Sequence, residues 1–318
     1  MSAIERFANS VIVPVVVLEK VEEAVPTAKA MAAGGVDTME ITFRTACAPE
    51  AIRAVAENCP EVLVGAGTIV NVEQAKLAVE MGAKFIVSPG FSDEVVGWCV
   101  ENNIPVTPGC VTPTEIMAAM KHGLKLVKFF PANVYGGLNA MKNLAAPFVG
   151  IKFLPTGGVN GGNIKEYIDA PFIHAVGGSW VCPKADIAAH NFDKITQLCA
   201  EARRGVMGFE LAHVGINCES SDESLAVCEE LEKAFDFEVK TGNSSNFAST
   251  GVEVMKSMYL GKNGHLAVRT NKIETAIAEL TKRGFAVDMD TAKYKGDRMV
   301  AVYLKNEIGG FAVHLLQK

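Results

Sequence analysis

No apolar run in the sequence approaches the ~20 residues that a membrane-crossing helix needs. The most apolar stretch, residues 11–18, is short and interrupted by Pro14, so it reads as a buried strand. A secretory leader is not expected. Residues 1–9 carry Glu5 and Arg6 and no apolar h-region, and the chain is expected in the cytoplasm, without a membrane partner. Basic charge is not in excess: 30 Lys and Arg stand against 36 Asp and Glu, a net charge of −6. That balance argues against a nucleic-acid partner, which calls for a basic stripe. The eight cysteines (Cys47, Cys59, Cys99, Cys110, Cys182, Cys199, Cys218 and Cys228) include no CxxC pair. Zinc-ribbon and disulfide-framework readings therefore have no spacing to rest on, and reduced thiols are expected. No GxGxxG follows the first apolar run, where Leu18-Glu19-Lys20 stands, so an open dinucleotide-binding sheet lacks its signal.

What is present is alternation. The 318 residues are 49% hydrophobic and 21% charged, an ordinary globular balance with room for two domains. Strand candidates fall at 12–17, 38–43, 63–68, 85–88, 105–111, 126–130, 151–156 and 173–176. Helical stretches lie between them, among them 21–33, 74–81, 114–121 and 163–168, several ended by Gly. Eight β-then-α units imply a parallel sheet closed into a (β/α)8 TIM barrel over residues 1–204. The pattern then changes. Over residues 211–318 the order is strand 212–217, helix 221–234 capped by Ser221, strands 237–240 and 251–260. Strand 265–269, helix 272–283 and strands 285–289, 299–304 and 311–316 repeat it. This predicts a smaller α+β domain of paired βαβββ modules.

In such barrels chemistry sits at the carboxyl ends of the strands. Two residues there do not belong on packing grounds. Lys128 lies within the apolar run Leu126-Val-Lys-Phe-Phe-Pro131, and Glu40 lies between Met39 and Ile41. Burial favours the neutral amine, the form that attacks a ketone, and a nearby carboxylate can shuttle the protons. A buried ion pair without chemistry is the alternative, and the residues alone leave it open. Thr156-Gly157-Gly158 and Gly177-Gly178-Ser179 follow the seventh and eighth strands, where barrels commonly hold phosphate. Other residues take plainer readings: Ile116, Met117 and Met120 as core, Thr45 as a helix cap, Lys121 and Lys125 as solvated. His122, His174 and His190 show no partner pattern.

The motifs Glu40-Ile-Thr-Phe-Arg-Thr45, Val64-Gly-Ala-Gly-Thr68, Val87-Ser-Pro-Gly90, Val106-Thr-Pro-Gly109, Lys128-Phe-Phe-Pro-Ala132, Pro155-Thr-Gly-Gly158 and Gly177-Gly-Ser-Trp180 stand in one order along the barrel. In this the segment resembles the family of 2-keto-3-deoxy-6-phosphogluconate and 4-hydroxy-2-oxoglutarate aldolases. The resemblance implies a class I aldolase acting on small 2-keto acids, without a cofactor, cytoplasmic and a homo-oligomer, usually a trimer. It makes Lys128 the Schiff-base lysine and Glu40 the general acid/base. Arg44 and Thr68 match residues holding the pyruvyl carboxylate and a water, Pro89 and Phe130 the apolar lining, and Thr156 a substrate contact. Gly157, Gly158 and Ser179 match the phosphate region. The departures, Val127 and Phe43, do not touch the chemistry.

In the tail, Leu211-Ala-His-Val-Gly-Ile216, Gly264-His-Leu-Ala-Val268 and Gly309-Gly-Phe-Ala-Val-His-Leu315 resemble the glyoxalase/extradiol-dioxygenase (vicinal oxygen chelate) superfamily. That resemblance implies a divalent metal held by His213, His265 and His314, with Glu253 as a fourth ligand. His314 departs from the Glu usual at the last position, and Lys305-Asn-Glu-Ile-Gly-Gly310 departs from the usual loop before it. A metal-dependent glyoxalase or dioxygenase activity and a non-catalytic assembly role both remain open for the tail.

Overall fold

The computed structural model describes residues 6, 7 and 9–318. The chain forms two compact units that meet between Val206 and Met207. Among the described residues, no helix is long and apolar enough to cross a membrane.

The first unit is a (β/α)8 barrel. Its strands are β1 (Ile12–Val16), β2 (Thr38–Thr42), β3 (Leu63–Gly67), β4 (Ile86–Val87), β5 (Val106–Thr107), β6 (Leu126–Phe129), β7 (Lys152–Pro155) and β8 (Val176–Gly178). Hydrogen bonding runs β5-β4-β3-β2-β1-β8, with β6-β7 as a separate pair. Parallel bridges Gly109↔Lys128 and Thr156↔Gly177 join the two pieces into a ring. The strands are shorter than the expected runs, because only their middles keep ladder pairing in so tightly closed a ring. Ser88 and Thr68 fall in the loops that follow, and residues 173–175 precede β8 rather than form it.

Between strands run α1 (Ala24–Ala33), α2 (Ala48–Asn58), α3 (Val72–Glu80), α4 (Asp93–Glu101), α5 (Pro113–Lys121), α6 (Gly137–Ala145), α7 (Ile164–Asp169), α8 (Lys184–Ala188) and α9 (Phe192–Met207). Local chemistry starts several of them. Asn71 and Ser92 each accept the backbone N–H three residues on, and Thr112 with Glu115 closes a capping box. Thr45 is not a side-chain cap, since α2 begins after Cys47. Met117 and Met120 are exposed, at 62% and 40%, whereas Ile116 is fully buried. The arc of α5 that meets the core runs through Ile116 and Ala119; Met120 and Met117 lie about 40° and about 100° to the other side of Ile116 and stay exposed.

Val13, Leu63, Phe85, Val87, Leu154 and Ala175 meet in one apolar cluster, with Phe7 stacked on Phe85 at 4.5 Å and Leu126 packed alongside. The six named first come from five strands or the residue just before one, and Leu126 adds a sixth strand, so the cluster fills the ring's interior. Gly65 leaves the space that Phe85 takes: a Cβ at 65 would lie 2.5 Å from its ring. All eight cysteines are free, and burial pushes the thiols of Cys99, Cys110 and Cys199 up to about 12. Such thiols are inert at neutral pH.

The second unit is one eight-stranded mixed sheet. A first module holds β9 (Glu210–Asn217), α10 (Ser221–Phe235), β10 (Val239–Thr241), β11 (Ser245–Ala248) and β12 (Val252–Met255). A second holds β13 (His265–Thr270), α11 (Ile273–Lys282), β14 (Val287–Lys295), β15 (Arg298–Leu304) and β16 (Ala312–Gln317). The strand order β10-β11-β12-β9-β13-β16-β15-β14 joins the two βαβββ modules through antiparallel β9 and β13. Several details differ from expectation, among them the strand expected at 285–289, which runs Val287–Lys295. Ser220, not Ser221, caps α10 by accepting from Glu223 N–H. The expected strand 251–260 ends at Met255, and Asn217 Nδ2 donates to the carbonyls of Tyr259 and Gly261 in the loop that follows. Strand β11 departs from expectation because its buried residues Ser245 and Asn246 are polar; Ser245 Oγ donates to Glu253 and Asn246 Nδ2 donates to Ser224 Oγ.

The barrel core leads to a stability prediction. Phe85→Ala should destabilise the barrel by about 3–5 kcal/mol, since its neighbours cannot collapse into so large a gap. Urea unfolding followed by circular dichroism checks this, and a loss below about 1 kcal/mol would contradict the packing described.

Candidate active site

Strand parity builds the barrel site. Leu126 and Leu154 pack on the apolar cluster, so Lys128 and Thr156, two residues on, face the same interior one step nearer the carboxyl ends. Glu40 reaches that level across β3. Gly67 makes this possible: a Cβ there would fall 2.0 Å from Glu40 Oε1. In the sequence Gly67 carries one signal beyond its motif, a glycine within a strand, which marks close approach.

Lys128 and Glu40 are 5% and 0% exposed, and Lys128 Nζ donates to Glu40 Oε1 at 3.3 Å. The amine also stands 5.3 Å from the centre of the Phe130 ring, within cation–π range. Burial raises the Glu40 carboxyl above its ordinary 4.5, against the opposing charge and hydrogen bond of Lys128. Glu40 Oε2 and Thr156 Oγ1 are buried without a hydrogen-bond partner among the described residues. A buried polar atom without a protein partner calls for a specific explanation, and a substrate or water taken up at this level would supply one.

Exposure rises toward the mouth, where Arg44, Pro89, Gly158 and Ser179 lie, with Phe130, Thr68 and Gly157 in between. Arg44 Nε donates to Thr68 Oγ1 at 3.1 Å, which aims the guanidinium and leaves its terminal nitrogens for a carboxylate. Thr68 has φ of 58°, a left-handed conformation that a β-branched residue rarely adopts. Gly157 and Gly158 have φ of 92° and 84°, which glycine takes without cost. The ring closure through Thr156↔Gly177 brings the two glycine segments side by side. His122 binds Asp93 at 2.7 Å, away from these groups in sequence and strand position.

In the tail, three separate strands bring His213, His265 and His314 together, with a donor atom of each within 4.8 Å of the others. His213 Nε2 and His265 Nε2 are 3.2 Å apart. Glu253 Oε2 lies 2.9 Å from the first and 3.1 Å from the second. Burial alone would raise the Glu253 carboxyl, but hydrogen bonds from His213, His265 and Ser245 hold it well below the ordinary range. Burial lowers His314 to about 3, helped by the charges of His265 and His213. Tyr303 stacks on His314 at 4.6 Å, and Phe247 sets its edge against His213 at 5.6 Å.

A buried amine hydrogen-bonded to a buried carboxylate, at the carboxyl end of a (β/α)8 barrel, defines a Schiff-base lyase of the aldolase class. Comparison with known proteins agrees and is narrower. Residues 3–198 match the family of KDPG and KHG aldolases. The chain is 46% identical over 198 residues to the 2-dehydro-3-deoxy-phosphogluconate aldolase of Treponema pallidum, covering 62% of this chain and 94% of that one. It is 44% identical over 194 residues to the KHG/KDPG aldolase of Escherichia coli, covering 61% and 91%. The crystal structure of the Legionella pneumophila KDPG aldolase, with pyruvate captured as a covalent carbinolamine, superposes with a TM-score of 0.61. It shares 37% identity and covers 64% of this chain and 98% of its own. The chain belongs to the KDPG and KHG aldolase family. The second unit lies beyond that match.

The strain at Thr68 predicts a trade. Thr68→Gly should stabilise the barrel slightly or leave it unchanged, because glycine accepts φ near 58°. The same change removes the Arg44 partner, so KM for the keto acid should rise about 10-fold, a loss near 1.4 kcal/mol. Steady-state kinetics beside a urea melt checks both; unchanged KM would remove Thr68 from substrate binding.

Proposed function

We propose that the barrel cleaves 2-keto-3-deoxy-6-phosphogluconate to pyruvate and glyceraldehyde 3-phosphate, and 4-hydroxy-2-oxoglutarate to pyruvate and glyoxylate, through an imine on Lys128. The observation that carries the reading is the Lys128–Glu40 contact inside the apolar barrel. Neutral Lys128 Nζ attacks the ketone carbon to give a carbinolamine, and Glu40 supplies the proton with which its hydroxyl leaves as water. Glu40, now a carboxylate, takes the proton of the C4 hydroxyl. The C3–C4 bond breaks, its electron pair flows into the imine, and the aldehyde departs. The enamine regains a proton at C3 from Glu40, and water releases pyruvate from the lysine. Arg44 and Thr68 hold the carboxylate, Pro89 and Phe130 line the imine, and Thr156 contacts the chain hydroxyls. Gly157, Gly158 and Ser179 take the distal phosphate.

Lys128→Arg should fold and be inactive, and borohydride with pyruvate should modify Lys128 in the parent protein. Mass mapping of the adduct to another lysine would overturn the assignment. Glu40→Gln should lose ~10²–10⁴-fold in turnover. Glu40 enters the cycle as the acid, and because its carboxyl is raised the protonated form persists above the usual carboxylate range. The basic limb of the kcat/KM profile that Glu40 sets should therefore lie above pH 4.5 and vanish in Glu40→Gln.

The tail supports a second reading, a divalent-metal centre held by His213, His265, His314 and Glu253. Two ring nitrogens facing each other at 3.2 Å, with a carboxylate oxygen between their reaches, converge lone pairs that a few protons satisfy poorly. His314 Nε2 is buried with no hydrogen-bond partner among the described residues. Three imidazoles and a carboxylate suit a first-row divalent ion. Such an ion would supply Lewis-acid polarisation of an oxygen ligand. A glyoxalase- or dioxygenase-type activity follows from that reading; a non-catalytic assembly role is the outcome if no ion binds.

Imine chemistry takes its electron sink from Lys128, so EDTA should leave keto-acid cleavage unchanged. Metal added to the chelated protein should raise the melting temperature of the tail. Substoichiometric metal after growth with zinc, nickel, manganese and iron, together with a chelator-insensitive melt, would leave the tail as an assembly module.

A further inference from the structure

Two residues outside the four donors are shaped around the point where those donors meet. Ser245 is 6% exposed, and its hydroxyl donates to Glu253 Oε1 at 2.6 Å. In the antiparallel β11–β12 register Phe247 faces Glu253 and Ser245 faces Met255, so Ser245 is the diagonal neighbour of Glu253 on one face of the sheet. A serine hydroxyl has one proton to give. Given to Oε1, it leaves Oε2 as the oxygen turned to His213 and His265. Rotation of the carboxylate about its last bond is thereby stopped.

Gly215 acts on the other side. It is in register with His265 across the β9–β13 seam. A Cβ at 215 would lie 2.0 Å from His265 Cε1 and 2.2 Å from Nδ1. The backbone there is ordinary strand, which any residue adopts, so only the ring's need for space calls for glycine. That need is informative because His265 Nδ1 is buried without a hydrogen-bond partner among the described residues. Metal-ligating histidines are usually oriented by a hydrogen bond from the second ring nitrogen. Here the ring lies in a recess over Gly215, with His314 against it at 5.1 Å and 80°. Shape fixes the direction of Nε2 where a hydrogen bond would ordinarily do so.

We propose that Ser245 and Gly215 are positioning residues of the tail centre: Ser245 selects the donating oxygen of Glu253, and Gly215 sets the ring of His265. The inference rests on the metal reading given above. Neither residue contacts the barrel chemistry, so pyruvate trapping at Lys128 serves as a control for intact protein.

Cobalt(II) titration of the full chain, followed by visible absorption, tests both roles. Ser245→Ala should weaken cobalt binding by about 10–100-fold and shift the absorption bands. Ser245→Thr, which keeps the hydroxyl, should restore both. Gly215→Ala should weaken binding at least as much. In chelated protein Gly215→Ala should lower the melt of the tail when His265 is present and leave it unchanged in a His265→Ala background, because the clash is then gone. Ser245→Ala and Gly215→Ala with parental affinity and parental bands would overturn the positioning roles while leaving the metal reading intact. A parent protein that takes up no cobalt would overturn both. Should Gly215→Ala fail to fold, the serine pair decides the question.

Discussion

The contact between Lys128 and Glu40 is the constraint around which the barrel is arranged. Two opposite charges inside an apolar ring are costly to desolvate, and removing one partner strands the other. The fold meets this by shaping neighbours to the pair. Gly67 clears the path of the carboxylate, Phe130 faces the amine, and the cluster of Leu63, Phe85, Val87 and Leu154 below shuts out water. The same burial that makes the pair expensive holds the Glu40 proton more tightly, so the carboxyl can act in both its forms.

Polarity is graded along the barrel axis. Lys128 and Glu40 sit deepest, and the residues proposed for the carboxylate and phosphate sit nearer solvent. Anionic ends of a substrate can thus stay partly hydrated while its ketone enters a dry interior. Thr68 shows that the mouth is not relaxed. Its left-handed backbone persists because Arg44 and the β3 terminus hold it, a common condition where geometry serves binding.

The tail solves a related problem with different materials. Its repeated βαβββ modules place β9 and β13 side by side, and this seam sets His213 and His265 at 3.2 Å. The partners of those groups are aromatic rings, a serine hydroxyl and a glycine recess. A polar cluster with two members buried and two half-buried holds one arrangement well where each member has few alternatives.

Much of this was readable in the residues. Alternating β and α runs announced the barrel, since a strand covered on both faces must be continuously apolar. Lys128 and Glu40 stood out because charge in such a run has no bland explanation. Other features needed the chain folded. Strand β11 was hidden because Ser245 and Asn246 are polar yet buried, and only their partners, Glu253 and Ser224, make that tolerable. Met117 and Met120 looked like core by spacing, but which arc of a helix meets the barrel depends on its docking, which spacing does not encode. The sequence by itself determined the βα repeat, the out-of-place Lys128 and Glu40 and the set of candidate ligands, because these depend on residue type and local period. Tertiary structure alone decided that four residues from strands up to a hundred positions apart converge, and that Gly67, Gly215 and Ser245 shape the result, because register and close approach exist only between strands already paired.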